Sequence, residues 1–219
     1  MTNATSQPSS DKNQHIRDFL SRYIDLPYSP HYAVLLAGPW GVGKTYLVKE
    51  FLRKKFGDDA DQTGKRYIYV SLYGLASVDE LDAALFQAAY PLLASQAIQV
   101  GGRVGMAIFK SISKITRVDL PDFKFSDLPK PKAELYVFDD LERCEMPINM
   151  SLGYINEFVE HEGHKVVIVA NEMEIRGEEK VAYTRRREKL IGKTFEVQSV
   201  VDEPFQSFIE LIGDPLARL

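Results

Sequence analysis

The run Gly38-Pro39-Trp40-Gly41-Val42-Gly43-Lys44-Thr45 fits the pattern G-x-x-x-x-G-K-[ST] in full, and each fixed position has a chemical task. Glycines let the backbone curl until its N–H groups converge on phosphate oxygens, and the helix that follows adds its positive dipole end. The Lys44 ammonium reaches β- and γ-phosphates, while the Thr45 hydroxyl can ligate Mg²⁺. The flanks agree with this reading: Ala33 to Ala37 is an apolar run suited to a buried parallel strand, and Tyr46 to Phe56 is amphipathic at helical spacing. A strand, a glycine loop and a helix in that order are what separate a phosphate cradle from a chance match. The segment is read as a nucleoside triphosphate site, with Gly38, Pro39, Trp40, Gly41, Val42, Gly43, Lys44, Thr45 and Tyr46 as its contact residues.

A phosphate loop alone does not choose among kinase, GTPase and ATPase. The run Leu135-Tyr136-Val137-Phe138-Asp139-Asp140-Leu141-Glu142-Arg143-Cys144 narrows the choice. An acid at the C-terminal end of an apolar strand is the second element of a metal site, so Asp139 would hold Mg²⁺ through its water shell beside Thr45. Asp140 follows at once, where a carboxylate can orient and polarise an attacking water. That suits an ATPase with an additional strand and is unnecessary in a simple nucleotide kinase. The other reading of Asp140 and Glu142 is an acid cluster capping a helix.

GTP is disfavoured on two counts. The second acid is followed by Asp140-Leu141-Glu142 rather than by x-x-Gly, and no Asn-Lys-x-Asp guanine reader occurs; the nearest strand end reads Asn171-Glu172-Met173-Glu174. Asn171 closes the run Val166 to Ala170, where its side chain can hydrogen-bond a γ-phosphate or a lytic water; a turn-forming Asn is the alternative. Arg185, Arg186 and Arg187 precede the last expected strand. They read either as an arginine offered to a neighbouring subunit's γ-phosphate or as a solvated basic helix face. Arg143 is a second candidate for such a cross-subunit contact. His161 and His164 flank Glu162-Gly163 in a surface turn without an evident third ligand, so no metal is assigned there. Cys144 is read as a packing residue.

These groups need a scaffold, and its elements are legible. His15 to Leu26 places Ile16, Phe19, Leu20, Tyr23 and Ile24 on one helical face, ended by Pro27 and Pro30. Strands are predicted at 33–37, 66–72, 135–139, 165–170 and 194–198, and helices at 46–56, from Ser77 onward, at 149–160 and at 178–191. Ser77 has the look of an N-cap, with Glu80 three residues on. A final helix is predicted near Asp202 and Pro204. Strands alternating with helices imply a three-layer α/β/α sandwich around a mainly parallel five-stranded sheet.

At 219 residues, 45% hydrophobic and 26% charged, the chain can bury one sizeable core. A net charge of -4 argues against a surface that coats nucleic acid, although a local basic patch would not be visible in the total. One cysteine excludes an internal disulfide and suits a reducing cytosol. Residues 1–14 are polar, lack an apolar core and read as a disordered lead, not a secretory signal. Residues 91–132, broken by glycines and prolines, read as an insertion into a core spanning 15–212. Its apolar part carries Arg103, Lys110 and Lys114, each costing ~3 kcal/mol to insert in a bilayer, so no membrane span is predicted. The expected location is cytoplasmic.

The loop bearing Trp40, together with Phe138-Asp-Asp-Leu-Glu-Arg-Cys144, resembles the KAP family of P-loop NTPases, within the broader AAA and STAND group. The family's usual second motif is close to Asp-Asp-Leu-Asp-Arg-Cys, so Glu142 is a mild departure. Tyr69-Val-Ser-Leu-Tyr-Gly74 is similar to a segment common in bacterial P-loop NTPases. The resemblance covers about residues 15 to 212. It implies ATP and Mg²⁺ as ligands, a homo-oligomer, an effector protein to drive or gate, and a role in phage defence. A nucleotide-dependent switch of STAND type, with little hydrolysis, is the rival reading; a P-loop small-molecule kinase is a third. Such ATPases normally continue into a helical lid, so 213–219 read as the start of a missing one.

Overall fold

The computed structural model describes residues 11–57, 66–90 and 130–199, and within them strands alternate with helices. In chain order the elements are α1 (Gln14–Asp25), β1 (Ala33–Ala37), α2 (Lys44–Phe56), β2 (Tyr67–Ser71), α3 (Val78–Ala89), β3 (Leu135–Asp139), α4 (Ile148–Asn156), β4 (Val166–Ala170), α5 (Gly177–Leu190) and β5 (Ile191–Glu196). A 3₁₀ turn, Leu141–Arg143, follows β3, and a π turn, Glu157–His161, extends α4.

The strands form one five-stranded sheet in the order β2-β3-β4-β1-β5, with every pairing parallel. β4 therefore separates β1, which leads into the glycine loop, from β3, which ends in the acids. This is the additional strand that the paired acids anticipated. Every residue of β1, β3 and β4 is buried, which is why β1, β4 and the first four residues of β3 read as unbroken apolar runs without alternation.

Alternate residues of β1 enter opposite cores. Ala33, Leu35 and Ala37 join Leu81 and Leu85 of α3, Leu152 and Ile155 of α4, and Tyr183 of α5. Val34 and Leu36 join Ile16, Leu20 and Tyr23 of α1 with Leu47, Val48 and Leu52 of α2. Helices thus cover both faces of the sheet, and each fully buried Leu or Ile contributes about 1.5–3 kcal/mol of transfer free energy. α3 starts as predicted: the Ser77 hydroxyl accepts the Glu80 N–H, and Glu80 in return accepts the Ala76 N–H. α4 takes its N-terminal cap from another helix, since the Glu179 carboxylate of α5 accepts the Ile148 N–H at 2.8 Å.

One strand boundary differs. β5 starts at Ile191, directly after α5, and not at Thr194. Gly192 and Lys193 fall between the predicted helix and strand; both lie in β5, and the Tyr32 ring crosses Gly192. A Cβ built there would sit 2.5 Å from the Tyr32 Cγ, and the pairing of β5 with β1 shifts register at this point, between Ala33 and Val34. Gly192→Ala is expected to lower stability by about 1–3 kcal/mol, the usual cost of overpacking, measured as a lower urea midpoint with an unchanged slope.

The end of β5 is pinned from far away in sequence. Asn13, within the stretch read as a lead, is buried and exchanges two hydrogen bonds with the Gln198 backbone, at 2.8 and 2.9 Å. Nearly all of the expected insertion (91–129), the helix near Asp202 and residues 213–219 lie outside the described residues. Among the described residues no helix is long and apolar enough to cross a membrane.

Candidate active site

Three buried polar residues, Lys44, Asp139 and Asn171, stand just beyond or at the carboxyl ends of β1, β3 and β4, the edge of an open parallel sheet where ligands bind. The loop from β1 to α2 turns on Gly41 at φ 77 and on Gly43 at φ 97, conformations that side chains with a Cβ adopt poorly. Gly43 is the residue before α2, so the first helical amides face the hollow of the loop. Inside it, the Lys44 ammonium donates to the carbonyls of Gly38 at 2.6 Å and Pro39 at 3.0 Å. Burial pushes its pKa below the ordinary lysine value, and the carboxylates of Glu142, Asp139 and Asp140 oppose that shift. Lys44 is thus a cation held in a partly desolvated loop, its ammonium donating to two backbone carbonyls, an arrangement that an anion would relieve.

Asp139 is 1% exposed, and a carboxylate so buried requires donors. Three supply them. The Thr45 hydroxyl donates to Oδ2 at 2.8 Å, the Tyr69 phenol to the same oxygen at 2.5 Å, and the Asp140 N–H to Oδ1 at 2.8 Å. The two expected metal ligands, Thr45 and Asp139, are therefore in direct contact although 94 residues apart. One hydroxyl and one buried carboxylate form a hard oxygen donor set that fits Mg²⁺. Burial, then the Asp139 carboxylate, raises the Tyr69 pKa well above the usual phenol range, so Tyr69 stays a donor.

Asp140 leaves β3 with φ 59 and ψ 39, in the left-handed region. Asp and Asn are the side chains that tolerate this conformation best after Gly. Its carboxylate accepts the Ser71 hydroxyl at 2.8 Å and lies 3.9 Å from the Arg143 Nε. It heads the 3₁₀ turn without capping it through its side chain, so the capping alternative does not account for its position.

Glu142 and Arg143 turn back to the loop. The Trp40 indole N–H donates to Glu142 Oε1 at 2.8 Å, and the Arg143 guanidinium lies over the rings of Trp40 at 4.9 Å and Tyr73 at 5.5 Å. Asn171 Oδ1 accepts the Met173 N–H at 3.2 Å, so this oxygen belongs to the local turn. Arg187 pairs with Glu172 at 2.8 Å and donates to Thr194 at 3.0 Å. Arg185 and Arg186 are exposed, Arg186 lying over Gly153. All three arginines sit in the second half of α5, which ends where β5 opens opposite Ala33, and the Arg187 guanidinium reaches back to Glu172 just beyond β4. The structure therefore gathers Gly38 to Thr45, Asp139, Asp140, Glu142 and Arg143 into one site and leaves Arg185, Arg186 and Arg187 outside it.

Sequence reasoning passed over Tyr69, Ser71 and Tyr73 as site residues. Their signal was the Tyr-x-Ser alternation of β2, which places Tyr69 and Ser71 on one side; that β2 runs beside β3 is visible only in the sheet. Cys144 packs as expected, its Sγ 3.3 Å from the Leu75 carbonyl. His164 packs at a tilt against the Tyr136 ring and lies 3.1 Å from the Glu162 carboxylate.

A glycine loop after β1, a strand-end acid one strand away on β3, and the strand between them define a P-loop NTPase domain. The chain belongs to the KAP family: the KAP family P-loop domain matches residues 13–121 and 124–216. No curated protein matches the chain. Solved structures are similar to the chain at low identity. The ORC2 protein of Aeropyrum pernix in its ADPNP-ADP complexes is 16% identical, with a TM-score of 0.48 over 96% of this chain and 54% of that one. AMPPCP-bound DnaA from Aquifex aeolicus is 13% identical, with a TM-score of 0.46 over 96% of this chain and 54% of that one. PCH-2 of C. elegans is 13% identical, with a TM-score of 0.46 over 96% and 49%. The chain spans about half the length of these structures.

Proposed function

We propose that the chain is an ATP-binding and ATP-hydrolysing core that is completed between subunits of a homo-oligomer and drives or gates an effector protein. The observation that carries the hydrolytic reading is the contact of Thr45 with Asp139 across the sheet, with Asp140 held next to it in a left-handed turn. In this reading the loop amides and Lys44 bind the triphosphate, while Thr45 and Asp139 would hold Mg²⁺. When bound, that ion neutralises charge on the β- and γ-phosphate oxygens. Asp140 orients a water and takes its proton as the water oxygen bonds to the γ-phosphorus; the bond to the bridging oxygen breaks and ADP leaves. Asn171, just beyond β4, has its amide N–H groups to offer a γ-phosphate or the water, its Oδ1 being taken up by the Met173 N–H. Glu142 and Arg143 act on the loop through Trp40.

The oligomer is supported by where the basic residues stand. Arg185 and Arg186 are exposed in the second half of α5, outside the site that this chain's own loop and acids form, so in this reading the triphosphate they reach belongs to another subunit. Arginines delivered in this way contribute ~10³-fold or more to turnover. A role in antiviral defence rests on the family resemblance alone.

The test is ATP hydrolysis per subunit across a wide range of protein concentration, with Lys44→Ala as background. The expected result is a rate per subunit that climbs with concentration and then saturates, and that Arg185→Ala or Arg186→Ala flattens. A flat, near-background rate with ATP still bound overturns the hydrolytic reading and leaves a nucleotide-dependent switch.

A further inference from the structure

We propose that the end of β2 positions both acids of the site, Tyr69 setting Asp139 to hold the metal and Ser71 setting Asp140 to orient water. This rests on the ATPase reading above and adds two positioning residues to it. β2 pairs in parallel with β3, with Tyr69 opposite Val137 and Ser71 opposite Asp139. Because side chains two apart project to the same side, the two hydroxyl groups follow the edge along which β3 delivers its acids.

Their contacts divide the work. The Tyr69 phenol and the Thr45 hydroxyl share Asp139 Oδ2, at 2.5 and 2.8 Å, while Asp140 N–H holds Oδ1 at 2.8 Å. Thr45 is itself a metal ligand in this reading, its oxygen lone pair facing the ion while its O–H still donates to Oδ2, so Tyr69 is the donor to that oxygen that has no duty to the metal. The phenol is braced in turn: its ring lies under the Lys49 ammonium at 4.7 Å and packs against the core beneath α2. Ser71 Oγ accepts the Tyr73 N–H at 3.3 Å, which leaves its proton for Asp140 Oδ2 at 2.8 Å. The donor direction is thereby set, and Asp140 stays a pure acceptor on that oxygen, with Oδ1 directed to the Arg143 side.

Groups that orient a metal ligand are worth roughly 10- to 100-fold in metal affinity, and misplacing a catalytic group by about 1 Å can cost about 100-fold in rate. The two hydroxyls should therefore fail in different measurements. ATP affinity is measured by calorimetry in saturating Mg²⁺ and in EDTA for the wild type, Tyr69→Phe and Ser71→Ala, and turnover is measured at saturating Mg-ATP. Tyr69→Phe is expected to reduce the gain in affinity that Mg²⁺ confers by about tenfold, with the affinity in EDTA unchanged. Ser71→Ala is expected to keep both affinities and lose about tenfold or more in kcat.

Wild-type Mg²⁺ dependence in Tyr69→Phe, or an equal loss with and without the ion, overturns the metal-positioning role and reduces Tyr69 to packing. Wild-type kcat in Ser71→Ala overturns the other half. Ser71 is exposed, so its variant folds and keeps the test decisive should Tyr69→Phe lower the melting temperature. A wild-type chain that binds ATP no more tightly with Mg²⁺ than in EDTA would sink the metal reading itself, a result distinct from the loss of either hydroxyl role.

Discussion

Lys44→Ala is expected to abolish stabilisation by Mg-ATP while leaving the nucleotide-free fold intact. The wild-type chain at a hundredfold excess of ligand over Kd gains about 2.7 kcal/mol, a rise in melting temperature of roughly 5–10 °C for a domain of this size. The variant should show no rise. The reason lies in how the free loop holds its lysine. Nζ is drawn inward to the Gly38 and Pro39 carbonyls, and burial lowers its pKa against the pull of three carboxylates. A desolvated ammonium is costly without an anion, so its removal relieves the empty loop and disables only the occupied one. The Lys44 aliphatic stem contributes little to the core, and α2 keeps Leu47, Val48, Phe51 and Leu52. Thermal scans with and without Mg-ATP separate the two effects. A Lys44→Ala chain that still melts several degrees higher with Mg-ATP would sink the phosphate-binding role of this loop, and with it the proposed function.

That loop was legible because its chemistry is local. Gly38 to Thr45 are contiguous, and the strand before them and the helix after them carry their own periodicity, so motif and context can be checked in one stretch. β1, β3 and β4 emerged with near-correct bounds for the same reason: strands buried on both faces must be apolar throughout. What stayed hidden depends on which elements are neighbours. Tyr69 lies 70 residues from Asp139, and nothing in β2 alone says that β3 runs beside it. β5 starts three residues before the strand predicted at 194–198, because the predicted helix at 178–191 takes in its first residue and only the sheet shows that Gly192 runs beneath Tyr32. Arg143 reads in sequence as a second candidate for a cross-subunit contact; that its guanidinium lies over the Trp40 and Tyr73 rings of its own chain is visible only in the fold. The resemblance to the KAP family supplied what spacing could not, the expectation that Trp40 and the Asp-Asp-Leu-x-Arg-Cys run belong to one site. Their meeting point, the Trp40 hydrogen bond to Glu142, spans 102 residues.

Asp140→Asn is expected to lower kcat by about 10²–10⁴-fold, the range that a positioned general base supplies, with Mg-ATP affinity unchanged. The substitution is clean at this position for a structural reason. Asp140 occupies a left-handed backbone conformation at φ 59, which Asn adopts as readily as Asp, so the turn from β3 into Leu141–Arg143 is kept. The amide oxygen can still accept the Ser71 hydroxyl. Only the charge, and with it the capacity to take a proton from water, is lost. Alanine would be a poorer probe, because it removes the side chain that makes the turn tolerable and would mix strain with chemistry. The charge on Asp139 is untouched, and Thr45 and Tyr69 continue to hold it, so binding of Mg-ATP isolates the step after binding. Single-turnover measurements with saturating enzyme decide the matter: a chemical step slowed at least a hundredfold at wild-type affinity assigns the proton to Asp140. Wild-type turnover in Asp140→Asn would transfer that role to another group, and Glu142, whose Oε2 is buried without a hydrogen-bond partner beside the Trp40 contact, would be the first carboxylate to substitute.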